Sequence, residues 1–359
     1  MTFRPILNAV LRSSLCPLCN LSKVPPTATT LKGFSFMSST CPPLTQRVII
    51  LSPFKVMWCA LALLTEEELS CLRRAGRAAS QALKSVIYKV HEGMPLIEVC
   101  EQVERYIKST GCEPAFPCNV SINYVAAHYT SFVGDKSIIP PRSLVKIDVG
   151  AHVNGFIADV ASTIALSEEY EPLVRAAERA LETAINSIRP GVRMSTLGSL
   201  IETTIKSLGF KPIRNLSGHM LKQYTLHGEK SVPNVAVNSR FSMEAYEVYA
   251  IEPFVTNGLG VVVDSPEVYI FRYLSPKKAK KADREVLATI WHRFKGLPFC
   301  DRWVRDLIPQ ETLSKLLELS RTGSLYGYHV LVEKGRGLVA QAEHTIIVLE
   351  DGVEVTTSF

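Results

Sequence analysis

Apolar residues recur at helical spacing through Leu69, Leu72, Ala75, Ala79 and Leu83, and Thr65-Glu-Glu-Glu68 stands before them. In that capping-box pattern Thr65 caps the first turn and Glu68 reaches back, so the sequence predicts a helix up to Gly93. A second helix is predicted from Pro95 to Thr110, with Leu96, Val99, Val103 and Ile107 on one stripe and Gly111 as its stop. Both stripes are ordinary core faces. Two further helices follow, Glu168 to Ile188 ended by Pro190-Gly191, and about Met194 to Leu208.

Between these pairs the period changes to two. The stretch from Val145 to Thr163 reads as a β-hairpin turning at Asn154-Gly155, a dipeptide suited to a two-residue type I′ turn. Counting outward places Val153 opposite Phe156, Ala151 opposite Ala158, Asp159 opposite Gly150, and Asp148 opposite Ala161. Asp148 and Asp159 are then diagonal neighbours on one face, while Ile147, Val149, Ala158 and Val160 share the other. Two carboxylates side by side on a sheet repel and lose hydration. A bound cation, a solvated edge or a basic partner would each compensate.

Strands return at Val248 to Phe254, and again from Val330 through Gly337 to Leu349, with a turn at Asp351-Gly352. The residues between, roughly 260–325, carry a lysine run at 277–281, a solvated surface by its composition. Helical periodicity follows at Val286 to Phe294 and Glu311 to Leu319. The pattern predicts a mixed α/β domain over 63–359, interrupted by a mostly helical insert.

Residues 1–62 differ in character. They are rich in Ser, Thr, Pro and Cys and carry six basic residues and no acid. This composition suits an organellar targeting segment, or a gene-model artefact with the true start at Met37 or Met57; the lack of sustained periodicity favours the artefact. Removing them leaves 34 basic and 34 acidic residues, so the body is electrically balanced and no nucleic-acid face is implied. The apolar run from Val48 to Leu64 is broken by Pro53 and Lys55 and is not read as a membrane span. The nine cysteines are scattered, with a lone Cys16-Pro-Leu-Cys19, which points to a reducing cytoplasmic setting rather than zinc binding.

Chemistry-bearing residues recur in apolar strand contexts after the hairpin. Glu252 sits within Val248 to Phe254, Glu343 lies between Val339 and Ile347, and His219 follows a glycine and precedes Met-Leu. Asp148, Asp159, Glu252 and Glu343 bring four negative charges, which two divalent cations would neutralise. That match suggests a dinuclear site, with bridging carboxylates and a hydroxide ready at neutral pH. Such ligands suit Mn, Fe(II), Co or Zn.

In order and spacing, Asp148, Asp159, His219, Glu252 and Glu343 resemble the five metal ligands of methionine aminopeptidases and their pita-bread relatives. The 91 positions from Glu252 to Glu343 leave room for the insert that marks type II enzymes, and the archaeal form is the nearest in character. The resemblance implies a pita-bread (creatinase/aminopeptidase) fold with a curved antiparallel sheet, flanking helices and an inserted helical subdomain. It implies that Asp148 chelates one metal, His219 and Glu252 the other, and that Asp159 and Glu343 bridge. A metal-bridging hydroxide would attack the carbonyl of an N-terminal methionine, with His128 and His227 as catalytic and substrate-contacting groups beside Glu252. Phe116 and Tyr328 would wall the methionine pocket, with Leu226 a weaker candidate. The substrates implied are nascent chains with a small second residue. A monomer is implied, and ribosome contact would suit such an enzyme, although no motif shows it. His91, His152, His292, His329 and His344 are read as structural or surface residues.

Two other functions share this frame. A prolidase or X-Pro aminopeptidase would use the same metal site, but such chains usually carry a separate amino-terminal domain. A non-enzymatic pita-bread binding protein would be marked by lost ligands, and all seven positions are filled here.

Overall fold

The computed structural model describes residues 64–358; the expectations for residues 1–62 lie outside them. The capping box forms, the Glu68 N–H donating to the Thr65 hydroxyl at 3.2 Å and the Thr65 N–H to the Glu68 carboxylate at 2.8 Å. It opens helix α1, Glu66–Ile87, and α2 follows at Leu96–Ser109. Helix α1 stops short of Gly93 because the chain turns to dock on a neighbour: the Gly93 N–H donates to the Ile139 carbonyl at 2.8 Å.

Both helices cover a sheet built on a long hairpin, Leu144–Val153 with Phe156–Ala165, whose register is the one counted from the turn. Asn154 and Gly155 have φ of 52° and 84°, the left-handed geometry that a type I′ turn requires. Ile147, Val149, Ala158 and Val160 enter one core with the stripes of α1 and α2. Asp148 and Asp159 are left on the other face.

The second half repeats this layering. Helices α3 (Glu171–Asn186) and α4 (Met194–Ser207) cover a five-stranded antiparallel sheet. Its order is Gly352–Val355, His344–Leu349, Val248–Ile251, Ser217–Leu221, Ser231–Pro233. The strand expected to continue to Phe254 ends at Ile251, and Phe254–Thr256 pairs elsewhere, with Val339–Gln341 and Lys211–Pro212. Pro253, which has no N–H to donate, marks the break. The halves meet where Ala161 and Glu343 pair their backbones.

The stretch 260–325 departs from its mostly helical expectation. It begins with the strand Val262–Tyr273, paired antiparallel to Leu325–Glu333, so strands resume before Val330. Register shifts between Asp264 and Val268, and between Val268 and Ile270, disturb the alternation that would have revealed the strand. Helices α5 (Arg284–Phe294) and α6 (Thr312–Arg321) then pack with Phe271 and Phe299 in a core of their own.

Candidate metal centre

The joint between the halves collects the acids. Asp148 and Asp159 come from the inner face of the hairpin, His219 from Ser217–Leu221, Glu252 from just past Val248–Ile251, and Glu343 from just before His344–Leu349. All five, with His128 and His227, line one cavity of about 200 Å³, and among the described residues no lysine or arginine lines it. His219 Nε2 lies 3.3 Å from Glu252 Oε1 and 3.8 Å from Asp159 Oδ2. One donor atom each from Asp159, His219 and Glu343 falls within 4.8 Å of the others.

Such a cluster is costly without a cation. Burial pushes the Asp148 carboxyl up to about 7, and burial and then neighbouring carboxylates hold Asp159, Glu252 and Glu343 well above their ordinary range. Burial also lowers His219, to about 4, so the imidazole stays neutral, the form that ligates metal. Asp148 Oδ1, Asp159 Oδ1, Glu343 Oε1 and His219 Nδ1 are buried without hydrogen-bond partners. Unpaired carboxylate oxygens converging on a neutral imidazole, with no basic side chain among them, are the donor set a hard or borderline divalent cation takes.

Neighbouring residues hold the acids in place. Thr345 grips the backbone of Asp159 twice, accepting from its N–H at 2.6 Å and donating to its carbonyl at 2.8 Å. Thr163 does the same for Gln341, at 2.8 and 2.7 Å, and the Gln341 amide donates to Glu343 Oε2 at 3.0 Å. Asn119, opposite Asp148 in register, also lines the cavity. Lys146, fully buried on the face of Asp148, donates to the carbonyls of Asn123 and Val339 at 3.1 and 2.9 Å. None of these five stood out in the sequence. A threonine in a strand is unremarkable, although a lysine in the strand Val145-Lys-Ile-Asp was as anomalous as the aspartate beside it.

Of the histidines, His128, His219 and His227 line the cavity. The His128 ring packs edge-on to Tyr328 at 5.4 Å, and His227 lies 4.5 Å from His219 and 6.1 Å from Tyr328, centroid to centroid. Burial depresses the pKa of both. His128 Nδ1 sits 3.1 Å from the His329 carbonyl, which can only accept, so the proton is on Nδ1 and the neutral ring offers Nε2 as an acceptor. His91, His152, His292, His329 and His344 do not line the cavity. Its apolar wall includes Phe116, Leu226, Ile270, Pro298 and Tyr328. Phe116 lies flush on Gly150, where a Cβ would come within 2.2 Å of its ring.

Helices outside antiparallel sheets, with acids and a histidine converging in the joint, define a pita-bread hydrolase. The chain belongs to metallopeptidase family M24, whose model matches residues 70–349. It is 43% identical over 294 residues to a methionine aminopeptidase of Thermococcus onnurineus, covering 81% of this chain and 100% of that one. Among solved structures, methionine aminopeptidase from Thermotoga maritima superposes with a TM-score of 0.61 at 23% identity, over 82% of this chain and 98% of that one. Prolidase from Pyrococcus furiosus shares the fold, with a TM-score of 0.55 at 18% identity, over 83% of this chain and 65% of that one. No described helix is long and apolar enough to cross a membrane.

Proposed function

We infer that the protein removes the N-terminal methionine from polypeptides, preferring a small second residue. The observation that carries this reading is the cavity itself, which sets a carboxylate-histidine cage against an apolar wall. The end-to-end match to an archaeal methionine aminopeptidase supports the substrate. A prolidase is disfavoured by the lower likeness, 18% identity with the prolidase against 43% with the methionine aminopeptidase.

In this reading Asp148, Asp159, His219, Glu252 and Glu343 hold two divalent cations of the Mn, Fe(II), Co or Zn type. When bound, these supply Lewis acidity and a deprotonated water at neutral pH. Glu252, beside His219, is placed to hold a proton during hydrolysis. Neutral His128 accepts through Nε2 from the amide N–H of the scissile bond and so fixes the peptide plane. His227, also neutral, faces the same bond from the His219 side. Phe116, Leu226 and Tyr328 enclose the thioether, whose flexibility suits an irregular apolar cavity. The enzyme acts as a cytoplasmic monomer on new chains, near the ribosome.

Release of the N-terminal residue from Met-Ala-Ser, Met-Gly-Ser and X-Pro peptides whose X is not methionine, by the metal-loaded protein, tests the assignment. Release from the first two is expected. Cleavage confined to X-Pro peptides would replace the reading with a prolidase, and no cleavage at all would leave a binding protein.

A further inference from the structure

The strands Val262–Tyr273 and Leu325–Glu333 carry one rung inside the cavity and the next outside it. Ile270 lies opposite Tyr328, and both line the cavity. Arg272 lies opposite Tyr326, one two-residue step further out on the same face. The side chains are continuous across that step. Tyr326 meets Tyr328 edge-on at 4.9 Å between centroids, and the Arg272 guanidinium carbon sits 5.8 Å from the Tyr326 ring centre. Inside the cavity, burial raises the Tyr328 hydroxyl above its ordinary pKa, and the Arg272 guanidinium, hydrogen-bonded to it, partly opposes that.

Tyr326 is 48% exposed, and among the described residues Arg272 meets the Tyr326 ring and the Tyr328 hydroxyl but forms no ion pair with a carboxylate. An extended peptide advances about 3.3 Å per residue, so a two-residue step along these strands spans two residues of a substrate. A peptide that runs along these strands with its methionine between Phe116 and Tyr328 sets its third residue at Arg272 and Tyr326.

We propose that Arg272 and Tyr326 form a subsite for the third residue of the substrate, selecting a side chain that carries a carboxylate. The proposal rests on the methionine-excision reading. Arg272 supplies the charge, and the Tyr326 face covers the methylenes of a glutamate. A lysine there meets like charge.

The test compares kcat/KM for methionine release from Met-Ala-Glu-Ser-amide, Met-Ala-Gln-Ser-amide and Met-Ala-Lys-Ser-amide. The amide removes the competing terminal carboxylate. The expected order is Glu, Gln, Lys, with the extremes roughly five-fold apart at low salt and converging as salt rises. Arg272→Gln flattens the series and Arg272→Glu reverses it. Equal values for the three peptides with the wild-type protein, or an unchanged order in a folded variant, overturn the subsite alone. No release from any of the peptides overturns the excision reading and the subsite with it.

Discussion

Glu343 and Ala161 exchange backbone hydrogen bonds across the joint of the two halves, Glu343 N–H to Ala161 O at 3.0 Å and Ala161 N–H to Glu343 O at 3.4 Å. Asp159, two residues before Ala161, faces the same way, so this bridge sets two carboxylates from distant parts of the chain beside one another. Glu343→Gln keeps the shape and removes one of the mutually repelling charges. Without metal the variant is expected to be as stable as the wild type or more so, by about 1–2 kcal/mol. The wild type should gain thermal stability on adding Mn(II), and the variant should gain little. Thermal melts with and without metal check both halves of this.

Gly150→Ala should act on the pocket through Phe116. The new methyl group would overlap the ring, so Phe116 must leave the cavity wall. A loss of about 1–3 kcal/mol of stability is expected from the overpacking. KM for Met-Ala-Ser should rise more than kcat falls, which steady-state kinetics will show.

His152 makes the hairpin sensitive to acid. Its Nδ1 accepts the Gly155 N–H at 3.1 Å, which only the unprotonated ring can do, and burial lowers its pKa to about 4. The unfolded residue takes up a proton near pH 6.5. Between these values the unfolded state binds more protons, so stability is full above about pH 6.5 and falls as the pH drops towards 4. The loss should be on the order of 1–2 kcal/mol, given partial exposure. Urea unfolding across this range should give a shallower slope for His152→Asn.

The Arg302–Glu104 pair fastens the 260–325 stretch to α2. Two guanidinium nitrogens meet the two carboxylate oxygens at 2.7 Å, with both side chains under 10% exposed, and the Trp303 indole adds a third bond at 2.9 Å. Arg302 also donates to the Ser131 carbonyl, and Asp301 accepts the Val133 N–H, just past His128 with its φ of 67°. Arg302→Met alone strands a buried carboxylate and should cost about 3–5 kcal/mol in chemical denaturation. Arg302→Met with Glu104→Leu should recover part of that loss.

Much of the fold was legible where local signals agreed. The Thr65 box, the Asn154-Gly155 turn and the register of Asp148 and Asp159 follow from turn chemistry and a period of two. The strand Val262–Tyr273 was hidden because its register shifts disturb the alternation. At the site, acids in apolar strands marked the residues that converge on the cavity. What holds them did not show: Thr345, Thr163 and Gln341 act through backbone and amide hydrogen bonds between segments about 180 positions apart. Arg272 was equally hidden, since an arginine in a strand gains meaning only from the Tyr326 ring and the Tyr328 hydroxyl beside it.

The most direct test titrates the metal-stripped protein with Mn(II) or Co(II) while following bound ions and methionine release from Met-Ala-Ser. Release should be absent at first, rise as up to two ions bind per chain, and be lost in Glu343→Gln and Asp159→Asn variants that remain folded. Release by the metal-free protein, or undiminished release by either variant, would contradict the assignment of this cage as the reactive centre.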